Sequence, residues 1–313
     1  MKGKQLLHNT WDLIKRSGKG FSEDKVTKLS GALAYFTVFS FGPLLIIVIF
    51  LSGLFFGQEA AQGKVYDTLV GFLGADTASQ LQKVITNAAI SGKSTVAAVI
   101  GFVTLLIAAT TVFAEIQDSI NTIWGLKPKP KKGWLKMLKN RILSFSVIAS
   151  LGFILVVSLA VTAIIDAFSK KLQQLFPDIA VIVFYIVNQL LTLCITTLIF
   201  GVVFKVLPDA KIRWKDVLAG ALVTAVLFML GKFAISFYIS TTSVGSTYGA
   251  AGSLVVLLLW TYYSSIILYF GAEFTKAWSM KFGSPIHPTE YAVTMKQVEV
   301  ETGKETVQEK ERR

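Results

Sequence analysis

Long uncharged stretches alternate with short polar and basic segments along the whole chain. An α-helix needs about 20 apolar residues to cross the hydrocarbon core of a bilayer. Stretches that reach or approach this length lie at residues 31–57, 94–114, 142–165, 179–204, 217–239 and 250–272. The pattern therefore predicts an all-α membrane protein whose six transmembrane helices form one bundle over residues 29–282.

Polar segments flank the predicted bundle. Apolar residues recur at helical spacing around Trp11 and Ile14, which predicts an amphipathic helix within residues 1–28. This helix would lie in the membrane interface or pack on the bundle, and the sequence leaves both open. Residues 58–93 predict short amphipathic helices in the first external loop. Residues 283–313 are polar and mixed in charge, which predicts a flexible tail.

The distribution of basic residues predicts the orientation of the bundle. The chain has 313 residues, of which 53% are hydrophobic and 16% charged, whereas soluble domains carry about 25% charged residues. Of the 31 Lys and Arg residues, 25 lie in segments on one side of the six stretches, five lie on the other side, and Lys232 lies within the fifth stretch. Basic residues favour cytoplasmic loops, so both termini are expected in the cytoplasm. The net charge of +12 then favours anionic lipid headgroups as partners, and no nucleic acid.

Glu115 and Asp118 are three residues apart and would share one face of a helix at the end of the second stretch. The rise from Ser94 to Glu115 is about 31 Å, which places both carboxylates at the cytoplasmic boundary. Trp124 just beyond them is expected to be an interfacial anchor. These carboxylates form either a structural collar of ion pairs or a cytoplasmic gate or headgroup site. Other charged residues expected at the same depth are Arg141, Lys205, Glu273 and Lys276.

Several polar residues interrupt the apolar stretches. Asn188, Gln189 and Thr192 lie in the fourth stretch, where they would hydrogen-bond neighbouring helices or line a polar pathway. Lys232 in the fifth stretch would snorkel to the interface, pair with an acid or face water. Pro43 removes a backbone hydrogen bond and predicts a kink in the first helix.

Sequence motifs give little support for catalysis. The segment SGKST at residues 91–95 is similar to the end of a phosphate-binding loop, but Asn87 stands where that motif requires glycine. His8 and His287 are the only histidines, and both lie in polar terminal segments without zinc-site spacing. The sequence therefore predicts no enzyme activity and no catalytic, cofactor or metal site.

Four segments resemble the YihY/BrkB family of bacterial inner-membrane proteins. They are ALAYFTVFSFGPLL at 32–45, AEIQDSINTIWG at 114–125, GKFAISFYIS at 231–240, and the long segment 248–278. The similarity extends over about residues 20–282. It implies a six-helix protein of the bacterial inner membrane, in a family that has carried a ribonuclease label and for which transport or envelope roles have been proposed.

The function favoured at this stage is transporter-like binding or translocation of a lipid or amphipathic envelope molecule. A membrane scaffold that binds a partner without transport is the alternative, and a membrane-embedded hydrolase or nuclease is the least favoured. The substrate, the coupling ion and the oligomeric state do not follow from the sequence.

Overall fold

The computed structural model describes residues 2–40, 95–129, 177–242, 248 and 252–295. This part of the chain is mostly helical. Its helices are α1 (Lys2–Glu23), α2 (described over residues 26–40), α3 (Thr95–Ile123), α4 (Pro177–Val206), α5 (Trp214–Thr241) and α6 (Gly252–Phe282). Its short strands are β1 (Leu126–Pro128), β2 (Ala210–Lys211), β3 (His287–Pro288) and β4 (Ala292–Thr294).

Three of these helices contain segments that are long and apolar enough to cross a membrane: Ile186–Val206, Trp214–Ile235 and Leu254–Phe282. They coincide with the fourth, fifth and sixth predicted spans. Helix α6 continues ten residues past the predicted end at residue 272, because its last three turns place their charged side chains against α1 and neighbouring segments. The third predicted span and most of the first lie outside the described residues.

Helices α5 and α6 approach each other through two copies of the same short pattern, GALVT at 220–224 and GAEFT at 271–275. A Cβ at Gly220 would overlap Thr275 Oγ1, and a Cβ at Gly271 would overlap Thr224 Oγ1. Each threonine hydroxyl donates to the carbonyl of the glycine four residues earlier, at 2.7 Å in both helices. The absent glycine side chains therefore let the two helices touch closely, as small residues do in membrane bundles.

The main hydrophobic core lies at one end of the helices, which we call the basic end because Lys205, Arg213, Lys276 and Lys281 are found there. This core joins residues from α2, α3, α4, α5 and α6 with residues of β1 and of the connection between α4 and α5. Its largest fully buried side chains include Tyr269, Phe204, Ile120, Ile123 and Leu207.

Two small antiparallel sheets close the basic end. Strand β4 pairs with β1, with Pro128 opposite Ala292, and β3 pairs with β2, with Lys211 opposite His287. Gly125 has a φ of 68° and turns the chain from α3 into β1, where its carbonyl accepts a hydrogen bond from Met295 N at 2.7 Å.

The paired segment corrects the prediction of a flexible tail from residue 283. Residues 287–294 are held by backbone hydrogen bonds to two distant loops, and residues 296–313 lie outside the described part. The fold is therefore not purely α-helical at this end. The strands are only two or three residues long, too short to give a recognisable alternation of apolar and polar residues in the sequence.

Helix α1 packs against the last turns of α6. Leu13 and Ser17 are buried on this face, and Leu13 packs with Phe274 and Ala277. Trp11 and Ile14 remain exposed on other faces of α1. The prediction of an amphipathic helix in this segment agrees with α1, and its inner face packs on the bundle while apolar residues remain on its outer surface.

Candidate functional site

The polar residues of the basic end form two regions of different character. One is a closed cluster around Glu273, where α1 and the turn after it meet α3 and α6. The other is an open cleft formed by the connection between α4 and α5 together with the segment that follows α6. We call them the Glu273 cluster and the basic cleft.

Glu273 lies in the GAEFT segment of α6, and only 2% of its surface is exposed. Its carboxylate points at Gly20 of α1, where a Cβ would overlap Oε2 and lie 2.8 Å from Cδ. Its Oε1 has no hydrogen-bond partner among the described residues. Burial of a carboxyl group is costly unless other groups stabilise it, so the cations and dipoles near this position matter for stability.

Lys276, three residues after Glu273 on α6, supplies a positive charge in the Glu273 cluster. Its Nζ lies 3.4 Å from Asp24 Oδ2, in the turn between α1 and α2, and it also donates to the carbonyl oxygen of Ile123 at the end of α3. One lysine therefore ties three elements together at the basic end. Asp24 was not among the acids expected there from the sequence.

A second connection at this end of α3 runs through Asn121, which is 2% exposed. Its Nδ2 donates to Asp209 Oδ2 at 3.1 Å, and its Oδ1 accepts from Asp209 N at 2.9 Å. Trp124 is buried as well, and its Nε1 donates to the carbonyl oxygen of Ala272 at 3.0 Å. The expectation that Trp124 is an interfacial anchor is therefore wrong, because its indole forms part of the core.

Glu115 and Asp118 do not share one environment. Glu115 is half-buried, and Ser119 Oγ lies 3.5 Å from its Oε1, whereas Asp118 is exposed. Lys205 and Lys276, expected at the same depth, bind the carbonyl oxygens of Ile212 and Ile123 respectively. The proposed collar or gate at these carboxylates stays a prediction, and Arg141 lies outside the described residues.

The basic cleft has a volume of about 440 Å³ and opens to the surface. It lies between the start of α5 and the segment after α6. Most of its polar lining side chains are cations or hydrogen-bond donors, and none of the lining residues in the described part is acidic. The lining residues are Lys205, Ala210, Lys211, Ile212, Arg213, Ser284, Pro285 and His287.

Lys205 is fixed in the wall of this cleft. Its Nζ donates to the carbonyl oxygen of Ile212 and lies 5.8 Å from the centre of the Trp214 ring. An ammonium group carries three N–H donors, so these contacts leave donor capacity toward the cleft. The face of an indole ring also attracts a cation, which helps hold the lysine beside α5.

The other polar side chains of the cleft come from neighbouring backbone positions. Lys211 and His287 are opposite each other in the β2–β3 pair, so their side chains lie on the same face of this small sheet. Arg213 is the N-cap residue of α5, and its side chain makes no capping hydrogen bond. Sequence reasoning counted Lys211 and Arg213 only as basic flanking residues, and His287 lay in the segment expected to be flexible.

The remaining candidate residues are separated from both regions. Asn188 and Thr192 are exposed on α4, and Thr192 Oγ1 donates to the carbonyl oxygen of Asn188 at 2.8 Å. Gln189 is half-buried on the same helix, and Lys232 is exposed on α5. Pro43 lies outside the described residues. Within the part that is described, no three His, Cys, Asp or Glu residues are grouped as metal ligands would be.

Comparison with known proteins identifies the family. The model of the virulence factor BrkB family matches residues 18–289. A UPF0761 membrane protein of Mannheimia succiniciproducens is 26% identical over 260 residues, which cover 82% of this chain and 85% of that protein. Another from Vibrio campbellii is 29% identical over 268 residues, covering 83% and 79%. No solved structure gives a significant match. The chain belongs to the BrkB family and is a membrane protein, which confirms the resemblance found in its sequence.

Proposed function

We propose that this BrkB-family member is a multi-pass protein of the bacterial inner membrane, with both termini in the cytoplasm. We further propose that it acts in a transporter-like way on an anionic lipid or another amphipathic envelope molecule. The basic end would then face the cytoplasm, where the cleft meets the headgroups of the inner leaflet. The distribution of basic residues along the chain supports this orientation.

The observation that carries the proposal is the position of the basic cleft at the end of lipid-facing helices. Helices α4 and α5 present apolar side chains outward, among them Leu190, Leu198 and Leu222, which are 46–56% exposed. The cleft opens where these helices end, between Lys205 and Arg213. An amphipathic anion needs this combination, since its tail favours apolar surface and its headgroup favours cations.

Lipid movement in reconstituted vesicles tests the proposal. The full chain is placed in liposomes that contain phosphatidylglycerol with a fluorescent label on its headgroup. A membrane-impermeant reductant then bleaches the label in the outer leaflet. The protein should increase the fraction of label that becomes accessible, compared with protein-free liposomes, and the lipid should be recovered chemically unchanged because the proposal includes no catalytic step.

The rival functions predict different results in the same vesicles. Binding of lipid without movement would favour a membrane scaffold, and chemical conversion of the lipid would favour an enzyme. The absence of both binding and movement would contradict the proposal. The variant Asn188→Leu tests whether the exposed polar residues of α4 form part of the path, because it should slow movement and leave binding unchanged.

A further inference from the structure

We propose that the basic cleft binds the phosphate group of one anionic phospholipid while an acyl chain of that lipid lies along α5. The inference rests on the proposed function and names the substrate class and the site for it. It depends on three features of the structure: the cations of the cleft, the start of α5, and an apolar stripe that begins beside the cleft.

Three cations line the cleft from the side of α4, α5 and their connection. Lys205 and Arg213 come from the ends of α4 and α5, and Lys211 comes from the connection between them. His287 and Ser284 complete the lining from the segment after α6. The guanidinium and ammonium groups are the usual protein donors to phosphate oxygens, and they form charge-assisted hydrogen bonds.

A buried acidic residue next to the cleft holds one of its walls in place. Asp216 is 5% exposed, and its Oδ2 accepts a hydrogen bond from Ser284 N at 3.3 Å. Gly283 allows the close approach, since a Cβ there would overlap the Asp216 carboxylate. Asp216 therefore fixes the Ser284 segment against α5 and is not itself a lining residue.

The N-terminus of α5 adds a second attraction for an anion. The first N–H groups of an α-helix have no partner within the helix, and the aligned peptide dipoles give this end a partial positive charge. At α5 the N-cap is Arg213, whose side chain makes no capping hydrogen bond and lines the cleft. Asp216 lies in the first turn of α5 and offsets part of this dipole, so Lys205, Lys211 and Arg213 supply most of the attraction for a negative group.

An apolar stripe of five exposed residues runs along α5 from this point. Its members recur every four residues, so neighbouring members lie one turn apart and the stripe winds gradually around the helix. They are Trp214, Leu218, Leu222, Val226 and Leu230, and they are 40–62% exposed. From Trp214 to Val226 the helix rises about 18 Å, which is close to half of the roughly 30 Å thickness of the hydrocarbon core.

Trp214 joins the stripe to the cleft. Half of its surface is exposed, and its ring lies beside the ammonium group of Lys205. Tryptophan favours the boundary between headgroups and acyl chains, because it has a large apolar ring with a polar N–H. A phospholipid aligned on α5 would therefore have its phosphate in the cleft, its glycerol region near Trp214 and a chain on the stripe.

The test is lipid binding to the full-length protein in detergent micelles, measured by native mass spectrometry. Phosphatidylglycerol and phosphatidylcholine with the same acyl chains are titrated separately. The wild type should bind one phosphatidylglycerol more tightly than phosphatidylcholine. The double variant Lys211→Gln/Arg213→Gln should weaken phosphatidylglycerol binding about tenfold or more, which is the order expected from losing charge-assisted hydrogen bonds.

A matched variant separates this site from the general effect of charge. Lys127→Gln/Lys129→Gln removes two exposed lysines that do not line the cleft. It should bind phosphatidylglycerol like the wild type. A second variant, Leu218→Asn/Leu222→Asn, should weaken binding of both lipids, because it makes the stripe polar and leaves the cations in place. Thermal unfolding of each variant establishes that it is folded.

The outcomes distinguish a wrong site from a wrong function. If the wild type prefers phosphatidylglycerol and the cleft variant binds it equally well, the site is overturned and the proposed function stands. If the wild type itself shows no preference and moves no lipid, both are overturned. If soluble glycerol phosphate displaces the lipid at equal concentration, the cleft binds a free phosphate and the role of the stripe is overturned.

Discussion

The Glu273 cluster and the basic cleft lie at the same end of the molecule, but they differ in the environment of their charged side chains. Around Glu273, acidic and basic groups of α6 and of the turn after α1 are packed against α1 and α3, and Glu273 itself is 2% exposed. In the cleft, cations line an opening of about 440 Å³ without an acidic residue in the described lining. Charged residues at the ends of membrane helices can thus either join helices or remain available for a ligand.

Desolvation accounts for this difference. A buried ionic group stabilises a fold only where neighbouring groups compensate for the loss of water, so such clusters require close packing and fixed partners. Exposed cations keep their hydration and contribute little to stability. Substitutions should therefore affect mainly stability in the closed region and mainly ligand binding in the open one.

The largest loss of stability is expected where α5 and α6 touch beside the Glu273 cluster. Gly220→Ala and Gly271→Ala each force a methyl group into the facing threonine. Each should lower the free energy of unfolding by about 2–3 kcal/mol, the upper part of the roughly 1–3 kcal/mol range for overpacked sites, because the methyl group meets a buried threonine in a facing helix. Thermal unfolding in detergent measures the effect.

Gly201→Ala in α4 is the matched control for this crossing. Its new methyl group would be 3.7 Å from Leu218 Cδ2, an ordinary van der Waals distance. Alanine is also the better helix former, so this variant should be as stable as the wild type or slightly more stable. An equal loss in all three variants would contradict the packing described for α5 and α6.

The next effect concerns the contact between α1 and Glu273. Gly20→Ala places a methyl group against the Glu273 carboxylate, whereas Gly18→Ala on the same helix meets no atom within 4 Å. We expect Gly20→Ala to destabilise the protein by about 1–3 kcal/mol and Gly18→Ala to stabilise it by about 0.5–1 kcal/mol.

A double-mutant cycle identifies the partner in this contact. If Gly20→Ala acts through Glu273, its effect should shrink in a Glu273→Ala background, with a coupling energy of about 1 kcal/mol. Additive effects of the two substitutions would show that α1 does not rest on this carboxylate. Resistance of α1 to proteolysis provides a second measurement of its docking.

A smaller effect is expected in the middle of α1, where Asp12 binds Lys281 of α6. Its Oδ2 lies 2.7 Å from Lys281 Nζ and 3.1 Å from Arg16 Nε. The hydrogen bond from Lys281 and then that from Arg16 lower the pKa of Asp12 below its ordinary value of 3.8.

The sign of the pH dependence follows from the lowered pKa. The contribution of Asp12 is fully present above its unfolded pKa and is lost as pH falls through the lower folded value. The difference in Tm between the wild type and Asp12→Asn should therefore be constant above about pH 5 and shrink as the pH approaches 3. The control Glu23→Gln affects an exposed pair with Lys19 and should change Tm less.

The smallest change in stability is expected in the basic cleft. Lys211→Gln and Arg213→Gln alter exposed side chains, so each should change the free energy of unfolding by no more than about 0.5 kcal/mol. A loss comparable to that of Gly20→Ala would show that these cations hold the fold together, and the contrast between the two regions would be wrong.

The sequence predicted the helices better than their polar ends. A long apolar run is itself the signal of a spanning helix, and α4, α5 and α6 follow the predicted stretches closely. The last part of α6, from the GAEFT segment onward, was harder to predict, because Glu273 and Lys276 made the span appear to end at residue 272. Only the position of α1, distant in the chain, shows why this part of α6 can remain buried.

The site depends on contacts between residues far apart in the chain. Asn121 and Asp209 are 88 residues apart, and Lys211 meets His287 through a strand pair of only two residues. Neither contact leaves a periodic signal along the sequence. The basic segments that flank the predicted spans could be recognised from the sequence. Their division into a closed cluster and an open cleft could not, because it depends on how the helices are arranged.

The two small sheets also determine when the basic end can fold during synthesis of the chain. A ribosome releases the chain from its N-terminus, so β1 and β2 leave it well before their partners β3 and β4, which follow α6. The basic end can therefore be completed only after the last spanning helix has been synthesised. A chain that stops before His287 would lack both strand pairs and part of the cleft wall, and its earlier loops would remain unpaired.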